Sequence, residues 1–400
     1  MSMPKGWEEV RLGDIATFSK GKGISKKDIS ENGIPCIRYG ELYTTYNEII
    51  DNVYSKTNLD EKDLVLSEKN DIIIPASGET AIDISKASCV MLDGIALGGD
   101  LNIIKTKQNG AFLSYYLNSV AKLDIARLAQ GISVMHLYGS QLATLTIKLP
   151  PLKEQVKIAE ILSSCDEHIK NLKNLKSELE KEKLHLMNEL LSGKTRFANF
   201  TTPWQEVTLN DLGATYNGLS GKKAKDFEDG NSNYITYKNI FDNRVVKTSI
   251  FEKVKINDDE KQNLVKKGDI FFTTSSETPH EVGTSSVILE ECENLYLNSF
   301  CFGFRPNESI NSEYASFYFR SSIFREKLTK LAQGSTRYNL SKTEFLKIKI
   351  QLPSLEEQKK IGEVLSACDE RLECLNELIT TQTTLKSHLL TELLTGNIRV

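Results

Sequence analysis

The chain has 400 residues, 40% hydrophobic and 26% charged, with a formal net charge of −4 at pH 7. That length suits two or three domains, each with its own core. No run nears the roughly 18 apolar residues of a membrane span, and the opening MSMPKGWEEV lacks a signal-peptide core, so a cytoplasmic location is expected. The acidic balance argues mildly against nucleic-acid binding, unless basic groups gather on one local face. The seven cysteines show no CxxC spacing and are expected to be free thiols. The five histidines are scattered, so no metal site is expected.

In chain order, GWEEVRLGDIA from Gly6 opens a segment of short β-like runs: IIIPAS from Ile72, LNIIKT from Leu101 and ATLTIKLP from Ala143. A helical stretch, FLSYYLNSVAKLDIARLAQG from Phe112, ends at glycine. LPPLKEQVKIAEILSSCDE then runs from Leu149 to Glu167. After it no proline or glycine interrupts the chain until Gly193, so a long helix is expected. The pattern then starts again. PWQEVTLNDLG follows from Pro203, then DIFFTTSS from Asp269, NLYLNSFCFGF from Asn294 and FLKIKIQLP from Phe345. The helical stretch EYASFYFRSSIFREKLTKLAQG begins at Glu313, and LPSLEEQKKIGEVLSACDE begins at Leu352. The two long motifs match at 13 of 19 positions. ELLSGKTRF and ELLTGNIRV close the two copies. This is a tandem duplication. The expected domains are 1–150, a helical arm 151–197, a second domain 198–353 and a second arm 354–400. Two copies suit pseudo-twofold symmetry, one chain imitating a homodimer.

Apolar residues in the arms recur every seven positions. Leu162, Ile169 and Leu190 share one column; Cys165, Leu172, Leu179 and Leu186 share the column three later. In the second arm the columns hold Leu365, Leu372, Ile379 and Leu393, then Cys368, Leu375 and Leu389. Lys176, Lys183, Gln382 and Lys386 interrupt them. This is a coiled-coil seam with polar breaks, and an antiparallel pairing of the arms is expected. Each arm packing on its own domain is the alternative. The two cysteines fit as small seam residues. The expected fold class is α+β: two pseudo-twofold-related mixed α/β domains separated by an antiparallel two-helix coiled coil.

No catalytic constellation emerges. SGKT at Ser192 ends a helix where a phosphate loop would begin one. No GxSxG, Asn-Pro-Pro-aromatic or Pro-Asp nuclease signature is present. The acidic residues on the arms are interleaved with lysines, as on solvated helix faces.

Two variable segments, each followed by LPxLxEQxxIxExLSxCDE and closed by ELLxGxxR, resemble the specificity subunit of type I restriction-modification systems. The resemblance covers essentially the whole chain. It implies a non-catalytic DNA reader with two target recognition domains, one per half of a bipartite, asymmetric site on double-stranded DNA. The paired arms would serve as a ruler and dock two modification (methyltransferase) subunits. S-adenosylmethionine, ATP and Mg would then sit on partner subunits, with a restriction subunit adding translocation and cleavage. The best base-reading candidates are polar, aromatic and basic residues in segments that align between the halves. In the first domain these are Arg38, Tyr39, Ser77, Glu79, Thr80, His136 and Tyr138. In the second they are Tyr237, Lys238, Asn239, Ser276, Glu277, Thr278, Arg337 and Tyr338. Gln130, Gly131, Gln333 and Gly334 are expected to shape loops. A bivalent adaptor without DNA, two binding domains on a coiled-coil spacer, is the competing reading.

Overall fold

A computed structural model describes residues 3–334 and 336–400. The chain forms two compact units: Met1–Lys173 with Glu377–Val400, and Asn174–Asn376. The expected boundaries fell at the ends of the arms. The compact units instead divide inside them, because each unit uses the beginning of one arm and the end of the other.

In the first unit a five-stranded sheet runs in the order Ala16–Lys20, Leu101–Thr106, Asp71–Pro75, Ser88–Val90, Ile49–Ile50. A four-stranded sheet runs Ala96–Leu97, Ile34–Ile37, Ser55–Thr57, Ile29–Ser30. The run Asp71–Pro75 is buried throughout, as a strand covered on both faces must be. The second unit has a four-stranded sheet, Gly213–Asn217, Cys301–Pro306, Ile270–Thr273, Ser285–Val287, and a three-stranded one, Glu252–Val254, Ser232–Ile235, Leu295–Leu297. NLYLNSFCFGF, read as one strand, is two. Asn298 turns the chain between the sheets, donating to the Ile235 carbonyl at 3.0 Å and accepting from the Phe300 amide at 2.9 Å.

Each single helical stretch of the sequence reading is also two helices. They are Gly110–Asn118 and Lys122–Leu128 in the first unit, Ser312–Tyr318 and Ser322–Leu331 in the second. In the first unit the Tyr116 carbonyl takes the amides of both Ser119 and Ala121, ending the ladder. In the second, Ser321 caps the next helix by accepting from the Phe324 amide. The core beside these helices is strongly aromatic. Phe272 is fully buried, with ring centroids 5.4 Å from Phe302, 5.4 Å from Phe319 and 4.7 Å from Phe345.

The arms are helices Leu152–Ser192 and Leu355–Thr395. Each follows a short strand, Thr146–Leu149 or Lys349–Leu352, that pairs antiparallel with the opening strand of its own half, Glu8–Arg11 or Gln205–Thr208. Proline stops the ladder and frees the chain to turn into helix.

The Glu-Gln of the doubled motif now has a physical role. Gln155 is fully buried; its Nε2 donates to the Pro150 carbonyl, and its Oε1 accepts from the Asn109 amide. Asn109 in turn caps helix Gly110–Asn118. Gln358 repeats this with Pro353 and Asn311. Glu154 receives a two-point bond from Arg399, at 2.6 and 2.8 Å. Glu357 receives the same from Arg196, at 2.9 and 2.8 Å, and the Trp204 indole at 3.1 Å. The start of each arm thus grips the arginine that closes the other arm, in the bidentate geometry that favours Arg over Lys.

Within each unit the two arm segments run antiparallel. In the first, Leu162 and Ile169 are buried, Cys165 and Leu172 half-buried, and from the second arm Leu393 is buried, with Ile379 and Leu389 half-buried. In the second, Leu190, Leu365 and Leu375 are buried; Leu179, Leu186, Cys368 and Leu372 are half-buried. The lysines that break the seam are paired. Lys386 bonds to Asp166, which also accepts the Tyr115 hydroxyl at 2.7 Å. Lys183 bonds to Asp369, which also accepts Arg244 at 2.8 Å. The Arg244 guanidinium lies 3.8 Å from the Phe317 ring centroid. Each unit therefore joins a mixed α/β domain to an antiparallel helix pair, as the α+β reading expects. No helix is long and apolar enough to cross a membrane among the described residues.

Candidate nucleic-acid interface

In the first unit, Ser77–Gly78 pairs antiparallel with Met135–His136, bringing Ser77 opposite His136. The hairpin behind it is closed by two backbone bonds between Gln130 and His136, at 2.9 and 2.7 Å. Gly131 permits the turn: its φ of +145° disfavours L side chains, and an added Cβ would lie 1.9 Å from the Val134 carbonyl. His136 and Tyr138 are exposed and their rings are stacked, with centroids 6.3 Å apart. The Lys20 ammonium sits 5.1 Å from the Tyr138 ring centroid.

Strand Ile34–Ile37 delivers Arg38 and the short helix Tyr39–Thr44 to the same region. The Tyr43 hydroxyl donates to the Ser77 carbonyl at 2.8 Å. A cleft of about 600 Å³ is lined by Tyr39, Tyr43, Ser77, Glu79, Lys86 and Val134 among others. A second, of about 920 Å³, is lined by Lys26, Lys27, Arg38, Tyr39 and Asp100 among others. Tyr39 belongs to both. Five of the seven candidates, Arg38, Tyr39, Ser77, Glu79 and His136, thus lie on these clefts or on the strand pair beside them, with Tyr138 two residues beyond. Thr80 has a local duty: its hydroxyl accepts from the Asp83 amide and caps helix Ala81–Ile84.

The second unit repeats the scaffold. Ser275–Ser276 pairs antiparallel with Tyr338–Asn339, and Gln333 is bonded twice to Asn339. Helix Tyr237–Asp242 follows strand Ser232–Ile235, and the Tyr237 hydroxyl donates to the Ser275 carbonyl at 3.1 Å. Lys238, Glu277, Thr278 and Arg337 are exposed.

Three candidates here are drawn inward by the fold. Asn239 is fully buried and latches a turn: its Nδ2 donates to the Lys247 carbonyl and its Oδ1 accepts the Lys247 amide. Ser276 is buried and its hydroxyl donates to Glu281, which also takes Thr278. Tyr338 is half-buried against the aromatic core. The structural counterpart of His136 is Asn339, which is exposed. The 203-residue offset of the arms, applied to His136, points directly to it.

Other surface groups went unread as well. Lys20, Lys86 and Lys122 reach the first-unit clefts or the rings beside them from distant strands and helices. Burial lowers the Lys86 pKa. Phe300 is 64% exposed, and its carbonyl takes the Thr274 amide next to Ser275. Asp100 holds the matching place in the first unit, accepting the Ala76 amide. Only the folded sheet brings these residues near the hairpin.

Among the described residues no three His, Cys, Asp or Glu side chains are placed to hold a metal ion. All seven cysteines are free thiols.

The fold is shared with known proteins. The family model for the type I restriction modification DNA specificity domain matches residues 4–181 and again 201–381. The chain belongs to the type I restriction-modification DNA specificity family, and sequence recognition of DNA is the function that family defines. It is 25% identical over its full length to the MjaVIII specificity subunit of Methanocaldococcus jannaschii, covering 95% of that protein. Over 26% of the chain and 24% of the relative it is 34% identical to the StySPI specificity subunit of Salmonella potsdam. In fold it is similar to the S subunit from M. genitalium, with a TM-score of 0.59 at 18% identity over 98% of this chain and 99% of that one. It is also similar to the HsdS subunit from Thermoanaerobacter tengcongensis, with a TM-score of 0.56 at 18% identity over 100% and 99%.

Proposed function

We propose that the chain is a non-catalytic reader of a bipartite, asymmetric DNA site, with one half-site read by each unit. The observation that supports this most is the equivalence of Ser77–His136 and Ser275–Asn339: one backbone geometry presents two different sets of side chains. Two scaffolds of one shape with different surfaces fit two unlike DNA words. To Arg38, Tyr39, Glu79, His136, Tyr138, Lys238, Glu277, Arg337 and Asn339 we assign the contacts with base edges or phosphates.

The arms dock two modification subunits, which bring S-adenosylmethionine, and a restriction subunit brings ATP and Mg. The exposed, charged faces of the arms leave room for such partners. The test is to express the chain with its methyltransferase and map the modified adenines by single-molecule sequencing. A split, non-palindromic word is expected. Replacing residues 1–150 with those of a relative should change only one half of the word. A continuous palindrome, or no word, would sink the proposal and favour an adaptor.

A further inference from the structure

Ile132 stands at the tip of the first-unit hairpin and is 104% exposed, more than any other large hydrophobic residue described as exposed. Val134 beside it is 46% exposed. A single surface isoleucine needs no explanation, but this one is held out by construction. The tip is closed by the paired Gln130–His136 backbone bonds and turned by Gly131, where a side chain would strike the Val134 carbonyl. Its apolar end rises beside the His136–Tyr138 stack, with Lys20 over Tyr138, and beside the cleft that Val134 itself lines, where Lys86 and Lys122 stand with Glu79, Asp83 and Ile82.

The stacked rings and the lysines suit a polyanion with flat apolar bases inside. Apolar wedges on DNA-binding proteins enter between base steps from the minor groove, unstack them and kink the duplex. We infer that Ile132 is a wedge that enters one base step of the half-site read by the first unit, with Val134 backing it. This rests on the DNA-reading role proposed above. It adds an indirect component to recognition, because flexible pyrimidine–purine steps open most readily.

The test uses the complete methyltransferase complex and duplexes carrying the mapped word, with 2-aminopurine at successive positions of the half assigned to residues 1–150. Apart from the methylated adenine, which the methyltransferase itself takes out of the stack, the intact complex should raise fluorescence at one step only. Ile132→Ser should abolish that rise and weaken binding about tenfold, while leaving the melting temperature unchanged; Ile132→Leu should keep both. The wedge is overturned if the word is bound but no position other than the methylated adenine brightens, or if Ile132→Ser gives the unaltered profile. It is also overturned if Ile132→Ser leaves the fluorescence intact and instead releases the methyltransferase, which would mark a protein contact. Absence of any word-specific binding by the intact complex would remove the DNA-reading role itself, and the wedge with it.

Discussion

Asn239 and Asn339 carry the same side chain and do different work. Asn239 spends its amide on the Lys247 backbone, out of solvent. Asn239→Ala should therefore cost about 1–3 kcal/mol of stability, the penalty for stranded buried backbone groups, measured by urea denaturation, with the DNA word unchanged. Asn339→Ala should leave the denaturation curve in place and relax a single base position, by about 1–3 kcal/mol of discrimination, read from the methylation map. No local signal separates the two asparagines, since both lie in polar stretches that align between the halves. What separates them is their neighbours in the fold: one faces a turn, the other a hairpin strand. The cysteines divide in the same way. Burial pushes the thiols of Cys36, Cys89 and Cys301 up to about 11, 12 and 12, so they stay protonated at pH 8. Cys374 is exposed. Iodoacetamide at pH 8 should label Cys374 first and leave those three unlabelled until the protein is denatured, as mass spectrometry would show.

At the scale of elements, the arms were the most legible part of the chain. Their heptad columns need only spacing, and their length is set by the absence of proline, with Gly362 the one glycine inside either helix. What spacing could not show is why lysines sit in the seam. Asp166 and Asp369, which receive them, belong to the doubled CDE motif, but the pairing exists only once the arms run antiparallel. The hairpins were half legible. AQG announces a turn, yet its register depends on bonds from Gln130 to His136 and from Gln333 to Asn339. Gly334 has a φ of +133°, and a Cβ there would lie 2.1 Å from the Arg337 carbonyl. Gly334→Ala should loosen that hairpin by about 1–3 kcal/mol. Hydrogen exchange at the Gln333 and Asn339 amides should quicken and word-specific binding should fall, with the far-UV spectrum unchanged. Gly131→Ala should do the same in the first unit.

For the whole molecule, the duplication was plain from the repeated motif, while the grouping of the chain into compact units was not. Sequence similarity marks where copies begin and end; compactness follows burial, and the arms bury each other crosswise. Leu393 and Leu394, 1% and 0% exposed, lie in the core that Leu12, Ile72 and Phe112 build far earlier in the chain. This has a consequence for biogenesis. At about 5–20 residues per second, the ribosome makes all of Asn174–Asn376, a contiguous unit, before it supplies the segment that closes the first one. The domain synthesised first is the one completed last, and for tens of seconds its apolar seam stands open. A nascent chain halted after residue 376 should show a protease-resistant second unit and a digestible first unit; releasing the remaining residues, 377–400, should protect both. Until that last stretch emerges, the Leu162 face of the first arm is a natural chaperone client.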